Sequence, residues 1–272
     1  EIANRYRTIH SDLGLSFPLE EELDTIRKNL TAVSSEDYVV SRGEYLNALL
    51  MAEFLGYEFV DAKDLIVFNS QKKYDKAASY KLMKEFSDNK LLGIKGIVVP
   101  GFYGATAKGE IVTFPRGGSD ISGAILAAGL EADLYENWTD VPGFLVADPK
   151  IVDNPKTINS LSYVELRELS YSDSQIIQAD AIAATREAEI PLLIKNTNFP
   201  ENPGTMIHAG KRVANGQLVT GIAGQQNFTV IHLKKYGKNE DYGFLRKICT
   251  IFEAHKITSP HQDPSPCNER IH

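Results

Sequence analysis

Cysteine is scarce in this sequence, with Cys249 and Cys267 the only two among 272 residues. Two thiols exclude a disulfide framework, and they lack the paired spacing of a zinc site; a reducing, cytoplasmic setting is expected. Long apolar runs are missing as well. No stretch approaches the roughly 20 residues that span a bilayer, and Glu1-Ile2-Ala3-Asn4-Arg5-Tyr6 lacks the charged-then-apolar order of a signal peptide. An initiator Met is absent too, so the sequence is expected to start partway into its parent protein. Positive charge is in deficit: 29 Lys and Arg stand against 36 Asp and Glu, a net charge of -7. Nucleic acids and anionic membranes are held chiefly by excess Lys and Arg, so neither is an expected partner. An anionic substrate must be held by local cations.

Several catalytic devices are missing. The six histidines are scattered, with His10 near the start, His208 and His232 isolated, and His255, His261 and His272 at or near the tail. None pairs with Ser or Cys in a nucleophile motif and no HExxH occurs, which argues against covalent catalysis and zinc hydrolysis. Neither GxGxxG nor the GxxxxGK-Ser/Thr loop is present, and there is no internal repeat or low-complexity tract.

What is present is the composition of a globular chain, 43% hydrophobic and 24% charged. Its length suits one large domain, or one with a small appendage. Apolar residues three and four apart predict helix within residues 1–30 and over 41–55, the latter ending at Gly56 as a C-cap. Short strands are read at 57–62 and 65–68, a helix at 77–86, and an apolar strand at 97–104 closed by turn residues. Residues 107–110 read as a hairpin turn into a strand at 111–114. A small-residue helix at 121–130, a strand at 132–138, helices at 163–169 and about 173–189, and a buried strand at 191–196 follow. Such alternation implies an α/β fold with a largely parallel sheet covered on both faces, and a ligand outside the carboxyl ends of its strands. Residues 209–217 read as a linker, 218–223 and 228–233 as strands, 242–255 as an amphipathic helix, and 259–272 as irregular.

Four constellations could carry chemistry. Arg116-Gly117-Gly118-Ser119-Asp120 lies between a strand and a helix, where glycines admit close approach and free amides attract an anion; Ser119 and Asp120 could equally be plain helix caps. Thr139 and Asp140, before the turn at Pro142-Gly143, offer a hydroxyl and a carboxylate at a strand end, or else an Asp-initiated turn. Ser41-Arg42-Gly43-Glu44 reads as an N-cap and capping box, or Glu44 as a receptor for an ammonium group. Lys195, after the strand from Pro191, is either a phosphate ligand or solvent-facing, and Lys150 of Asp148-Pro149-Lys150 is a loop lysine.

In order, the series runs from Ser41-Arg42-Gly43-Glu44 through Pro100-Gly101-Phe102-Tyr103-Gly104 to Arg116-Gly117-Gly118-Ser119-Asp120. It continues with Trp138-Thr139-Asp140-Val141-Pro142-Gly143, Asp148-Pro149-Lys150, Leu161-Ser162-Tyr163 with Glu165-Leu166, and Lys195-Asn196-Thr197-Asn198 with Pro203-Gly204-Thr205. The whole set, over residues 1–207, resembles the aspartate kinases of the amino acid kinase family. The resemblance implies an amino acid kinase-like three-layer α/β sandwich with a mostly parallel central sheet over residues 1–209. It further implies ATP- and Mg2+-dependent phosphorylation of the L-aspartate side chain to 4-phospho-L-aspartate, the first step toward lysine, threonine and methionine. By the same resemblance, Glu44 receives the substrate ammonium, Arg116 pairs with a substrate carboxylate, and Ser119 and Asp120 complete that pocket. Thr139, Asp140, Leu145, Lys150 and Lys195 match nucleotide-binding positions, Asp120 and Lys195 the catalytic ones, and no protein metal ligand is implied. Phosphoryl transfer needs little covalent help but does need positioning and cations around the moving charge.

The sequence also departs from that family. Its opening Lys-Phe-Gly-Gly-Ser strand, which cradles and neutralises phosphate, has no counterpart here, so a chain truly beginning at Glu1 is expected to turn over weakly or not at all. Lys150 replaces the usual arginine and loses its planar fork, Leu145 stands where many members carry tyrosine, and a Met-Gly-Ala pattern is missing around residues 172–178. Within residues 217–272, the stretch 219–257 resembles the first strand and helix of an ACT domain, whose later strands are not recognisable in 259–272. It implies a small, partial α+β regulatory appendage that binds a feedback amino acid such as lysine or threonine, in a homodimer or higher homo-oligomer. Two other readings stay open on the sequence: a noncatalytic amino-acid-binding regulatory chain, and an amino acid kinase with a different acid substrate.

Overall fold

Ser35, not Ser41, starts the third helix of the chain. In this computed structural model, which describes residues 1–32, 35–170, 182–210, 219–222, 224 and 243–255, α1 spans Ile2–Asp12, α2 Leu19–Ala32 and α3 Glu36–Leu55. The Ser35 side chain accepts from the Tyr38 amide, and Glu36 and Asp37 in the first turn complement the helix dipole. Ser41 is therefore buried inside the helix, its hydroxyl donating to the Tyr38 carbonyl at 2.8 Å. This corrects the cap and capping box expected there: a better cap six residues earlier extends the helix past Ser41. Gly56 ends α3 as expected, in the left-handed region at φ 64°. Leu19 and Leu23 of α2 pack on Leu46 of α3, joining the two helices.

The strands are short and lie in three ladders among the described residues. β1 (Glu58–Phe59) pairs in parallel with β3 (Ile97–Val98). β2 (Val67–Phe68) runs parallel to β4 (Tyr103–Thr106), which forms the expected hairpin with β5 (Ile111–Thr113) through Gly109. β6 (Tyr135–Thr139) is parallel to β8 (Leu192–Asn196), β8 antiparallel to β9 (Thr205–His208), and β9 parallel to β7 (Ser160–Ser162). Parallel pairings thus predominate, as the alternating pattern implies. The single strand expected at 97–104 divides in two because Phe102 adopts φ 58°, which turns the chain between β3 and β4. Among the helices, α4 is Lys76–Phe86, α5 Gly118–Gly129, α6 Tyr163–Ser170 and α7 Ala183–Glu187. Ser162 and Glu165 form a reciprocal capping box at the start of α6, with bonds of 2.9 and 3.2 Å. The helix expected at 173–189 is seen as α7, and residues 171–181 lie outside the described ones.

α5 is the hinge of the core. Its Ile125 is buried with Leu65, Ile66, Phe68, Met83 and Val112, while Ile121 packs both there and against the group of Phe144, Leu161, Leu166, Leu192, Ile194 and Ile207. Fully burying one such aliphatic side chain stabilises by about 1.5–3 kcal/mol, so α5 is held by the buried groups of both the β2–β4–β5 and the β6–β8–β9–β7 ladders.

By contact, the chain divides into two compact units, Glu1–Ala223 and Gly224–His272. Residues 219–222 do not form the strand expected at 218–223; one backbone bond, from Ile222 N to the Val146 carbonyl at 2.8 Å, ties them to a loop. In the second unit the described element is α8 (Phe244–Ala254), inside the helix expected at 242–255. The strand expected at 228–233, most of the linker, and the tail at 259–272 lie outside the described residues. Among the described residues, no helix is long and apolar enough to cross a membrane.

Candidate active site

The segment between β5 and α5 is shaped by two glycines and a phenylalanine. Gly117 takes φ 81° as the N-cap of α5, and no side chain caps the helix. Gly118 passes so close to the strap at Phe102 that a Cβ would lie 2.8 Å from the Phe102 Cβ and 2.9 Å from that of Phe114. Ser122 fastens the same strap, accepting from the Phe102 amide at 3.0 Å and donating to the Ser119 carbonyl at 3.0 Å. The result is an open cleft of about 330 Å³ lined by Phe102, Phe114, Pro115, Arg116 and residues 117–120. Helix-start amides have no intrahelical acceptor and carry partial positive charge, so the cleft is suited to an anion. Ser119 and Asp120 are not caps, since the cap is Gly117; they sit in the first turn on the cleft wall. Arg116 is exposed on its rim and makes no ion pair among the described residues.

Asp120 also faces β6. Asn137 donates from Nδ2 to Asp120 Oδ1 at 2.8 Å, and two residues further along that strand comes Thr139. At the carboxyl ends of the parallel pair β6–β8, the Thr139 carbonyl accepts from Thr197 N at 2.8 Å and Thr197 Oγ1 at 3.0 Å. Asn196 Nδ2 lies 3.4 Å from the Asp140 carbonyl. The next turn is locked by Gly143 at φ 102°, beneath Thr205, whose hydroxyl accepts from the Phe144 amide at 2.9 Å. Lys195 stands opposite Trp138 across the ladder, with its ammonium over the indole. Thr139, Asp140 and Lys195 therefore share one end of the sheet, where α/β proteins bind ligands.

The remaining sequence-derived positions are more dispersed. Leu145 is half-buried and bridges to Thr157, and Lys150 is exposed on the same loop, its amide donating to Asp148 Oδ1 at 2.8 Å. Glu44 is exposed on α3 and does not line the Arg116 cleft; its charge acts on Tyr6, whose phenol is pushed up by burial first and then by Glu44. Sequence reasoning missed Asn137 and Tyr135. The available signal was an amide at a position that alternates with exposed Glu136 and Trp138 along a strand.

A model of the amino acid kinase family matches residues 2–196, most of the chain. The chain belongs to the amino acid kinase family. Among curated relatives, aspartokinase 3 of Bacillus subtilis is 36% identical over 96% of this chain and 59% of its own length. The crystal structure of Clostridium acetobutylicum aspartate kinase matches with a TM-score of 0.83 and 45% identity, over 97% of this chain and 59% of that one. Aspartokinase III of Escherichia coli, solved in complex with lysine and aspartate, matches with a TM-score of 0.63 and 25% identity, over 77% of this chain and 48% of that one. The chain thus spans about three fifths or less of the length of these family members.

Proposed function

We propose that this protein is an aspartate kinase, transferring the γ-phosphoryl group of ATP to the side-chain carboxylate of L-aspartate. A carboxylate oxygen attacks the γ-phosphorus, the bond to the β–γ bridging oxygen breaks, and 4-phospho-L-aspartate and ADP leave. The observation that carries this reading is a single strand serving both halves of a site. β6 contacts Asp120 of the anion cleft through Asn137 and ends in Thr139, beside Lys195. Similarity to the aspartokinases named above supports the choice of acceptor.

In this reading Arg116 and the first amides of α5 hold a carboxylate of aspartate, with Ser119 and Asp120 on the same wall. Thr139, Asp140 and Lys195 receive the nucleotide and its phosphates, and Leu145 and Lys150 approach it from the following loop. Glu44 is assigned the substrate ammonium by resemblance alone. Lys195 and Asp120 act on the reacting groups, the lysine by neutralising charge on the transferred phosphoryl. Among the described residues no group of three or more His, Cys, Asp or Glu could hold a metal ion, while Asp140 offers an exposed carboxylate. That donor set fits Mg2+ carried on the ATP phosphates with its own waters, where it would offset phosphate charge.

We further propose a catalytic region at residues 1–209, an ACT-like regulatory region at 217–272, a homo-oligomer, feedback by lysine or threonine, and a cytoplasmic setting. Lysine in the E. coli structure supports the first feedback candidate. The test is ADP release from the native protein with Mg-ATP, with and without aspartate, plus hydroxylamine trapping of the acyl phosphate. Aspartate-dependent release and a trapped hydroxamate are expected; release that ignores aspartate or prefers another acid overturns the reading.

A further inference from the structure

Asn137 is a polar side chain in a position built for an apolar one. It is 8% exposed, and its partner across the β6–β8 pairing is the fully buried Ile194. An amide taken out of water must find partners. Those partners are specific. Nδ2 donates to Asp120 Oδ1 at 2.8 Å and to Tyr135 Oη at 3.1 Å, and the Tyr135 hydroxyl in turn lies 3.4 Å from the Asp120 carbonyl as donor. Burial above all raises the Tyr135 phenol pKa, so it stays a neutral donor. Gly123, one helical turn beyond Asp120, leaves room for this phenol: a Cβ there would lie 2.5 Å from Tyr135 Oη. Asp120 is thereby gripped from one strand at both its carboxylate and its main chain. Its Oδ2 makes no hydrogen bond among the described residues.

We infer that Asn137 is a positioning residue for phosphoryl transfer. It selects one orientation of the Asp120 carboxylate by engaging Oδ1, leaving Oδ2 directed to the reacting groups. An aspartate side chain at the start of a helix otherwise has several rotamers open to it, and misplacement of a catalytic group by about 1 Å can cost on the order of 100-fold in rate. The inference rests on the aspartate kinase reading above.

The test compares wild type with Asn137→Leu, which keeps the volume without a donor, and Asn137→Asp, which keeps the shape and sets a carboxylate against Asp120. Aspartate-dependent ADP release is measured on the native protein, with thermal unfolding recorded for each variant. The expected result is a fall in kcat of about 10- to 100-fold in both, while KM for aspartate and for ATP stays within about threefold of wild type. A purely structural amide would lower the melting temperature and leave kcat per folded molecule intact, which overturns the inference. If Asn137→Leu does not fold, the isosteric Asn137→Asp decides. Wild type without aspartate-dependent turnover overturns the functional reading and this inference together; active wild type with unchanged kcat in the variants overturns the inference alone.

Discussion

The Lys195 ammonium rests 4.9 Å from the centre of the Trp138 ring, across the parallel pairing of β8 with β6. Trp138 is 43% exposed and donates its indole N–H to Glu136 at 3.1 Å, so the lysine is parked on a surface ring and not locked in a buried ion pair. An exposed cation–π contact is worth about 0.5–1 kcal/mol, less than the roughly 1.5–3 kcal/mol of a charge-assisted hydrogen bond.

Phosphate should therefore draw Lys195 off the ring. Trp138 is the only tryptophan among these 272 residues, so the tryptophan fluorescence of this chain reports the site without labelling. Saturating Mg-ATP should change the emission in wild type, and Lys195→Met should weaken ATP binding about 10- to 100-fold by calorimetry. Unchanged emission together with equal ATP affinity in the variant would show that Lys195 is merely exposed.

Arg116 lies on the rim of the cleft at the start of α5, and on the proposed reading it acts on aspartate. Arg116→Ala is expected to raise the aspartate KM about tenfold or more and leave the ATP KM within about threefold. Arg116→Lys should recover little of the loss, because an ammonium lacks the planar fork that grips a carboxylate at two points. Steady-state kinetics in both substrates separates the cases; a rise confined to the ATP KM would move Arg116 to the nucleotide side.

Much of this arrangement was legible because it depends on local chemistry. Gly56 ends a helix as glycine does, and the turn at Gly109 makes the hairpin of β4 and β5. The site positions near Arg116 and Thr139 fall at element boundaries marked by glycine and proline. What was not legible depends on tertiary competition. Ser41 and Glu44 have the spacing of a capping box, yet Ser35 caps first, and a box pattern carries no information about a rival upstream. The strands β7 and β9 are only three and four residues long, too short for a periodic signal, and they exist because β9 pairs with β7 on one side and β8 on the other. The role of Asn137 needs a partner seventeen residues away, on another element.

The loop between α1 and α2 predicts a pH dependence. Glu53 of α3 accepts from the Ser16 amide at 2.7 Å, the Ser16 hydroxyl at 2.5 Å and the Phe17 amide at 3.0 Å. The Ser16 hydroxyl bond and then the backbone bonds hold its carboxyl below the usual carboxylate range. A folded-state pKa below the unfolded one stabilises the fold above the unfolded value, and that contribution fades as pH falls through the folded value. Urea unfolding should therefore show Glu53→Gln less stable than wild type at pH 7, with the gap closing below about pH 4. A gap that persists in acid would assign the effect to packing.

Two glycine-to-alanine changes on helices should have opposite signs. Alanine is favoured over glycine inside a helix by about 0.8–1 kcal/mol. At Gly43, inside α3, the new Cβ would meet only Tyr6 Oη at 4.0 Å, so that preference acts unopposed and Gly43→Ala should stabilise. At Gly118 the new Cβ would fall 2.8 and 2.9 Å from the Cβ atoms of Phe102 and Phe114, which are fixed by their own backbones and cannot swing aside. Overpacking of that kind costs about 1–3 kcal/mol, which exceeds any helical gain, and its relief requires the strap at Phe102 to move away from α5. That strap forms part of the Arg116 cleft, so Gly118→Ala should lower both stability and apparent affinity for aspartate, while Gly43→Ala raises stability alone. Chemical denaturation alongside aspartate titration measures both. Equal and positive stability changes in the two variants would mean that the close approach of Gly118 to the strap is not what shapes the cleft.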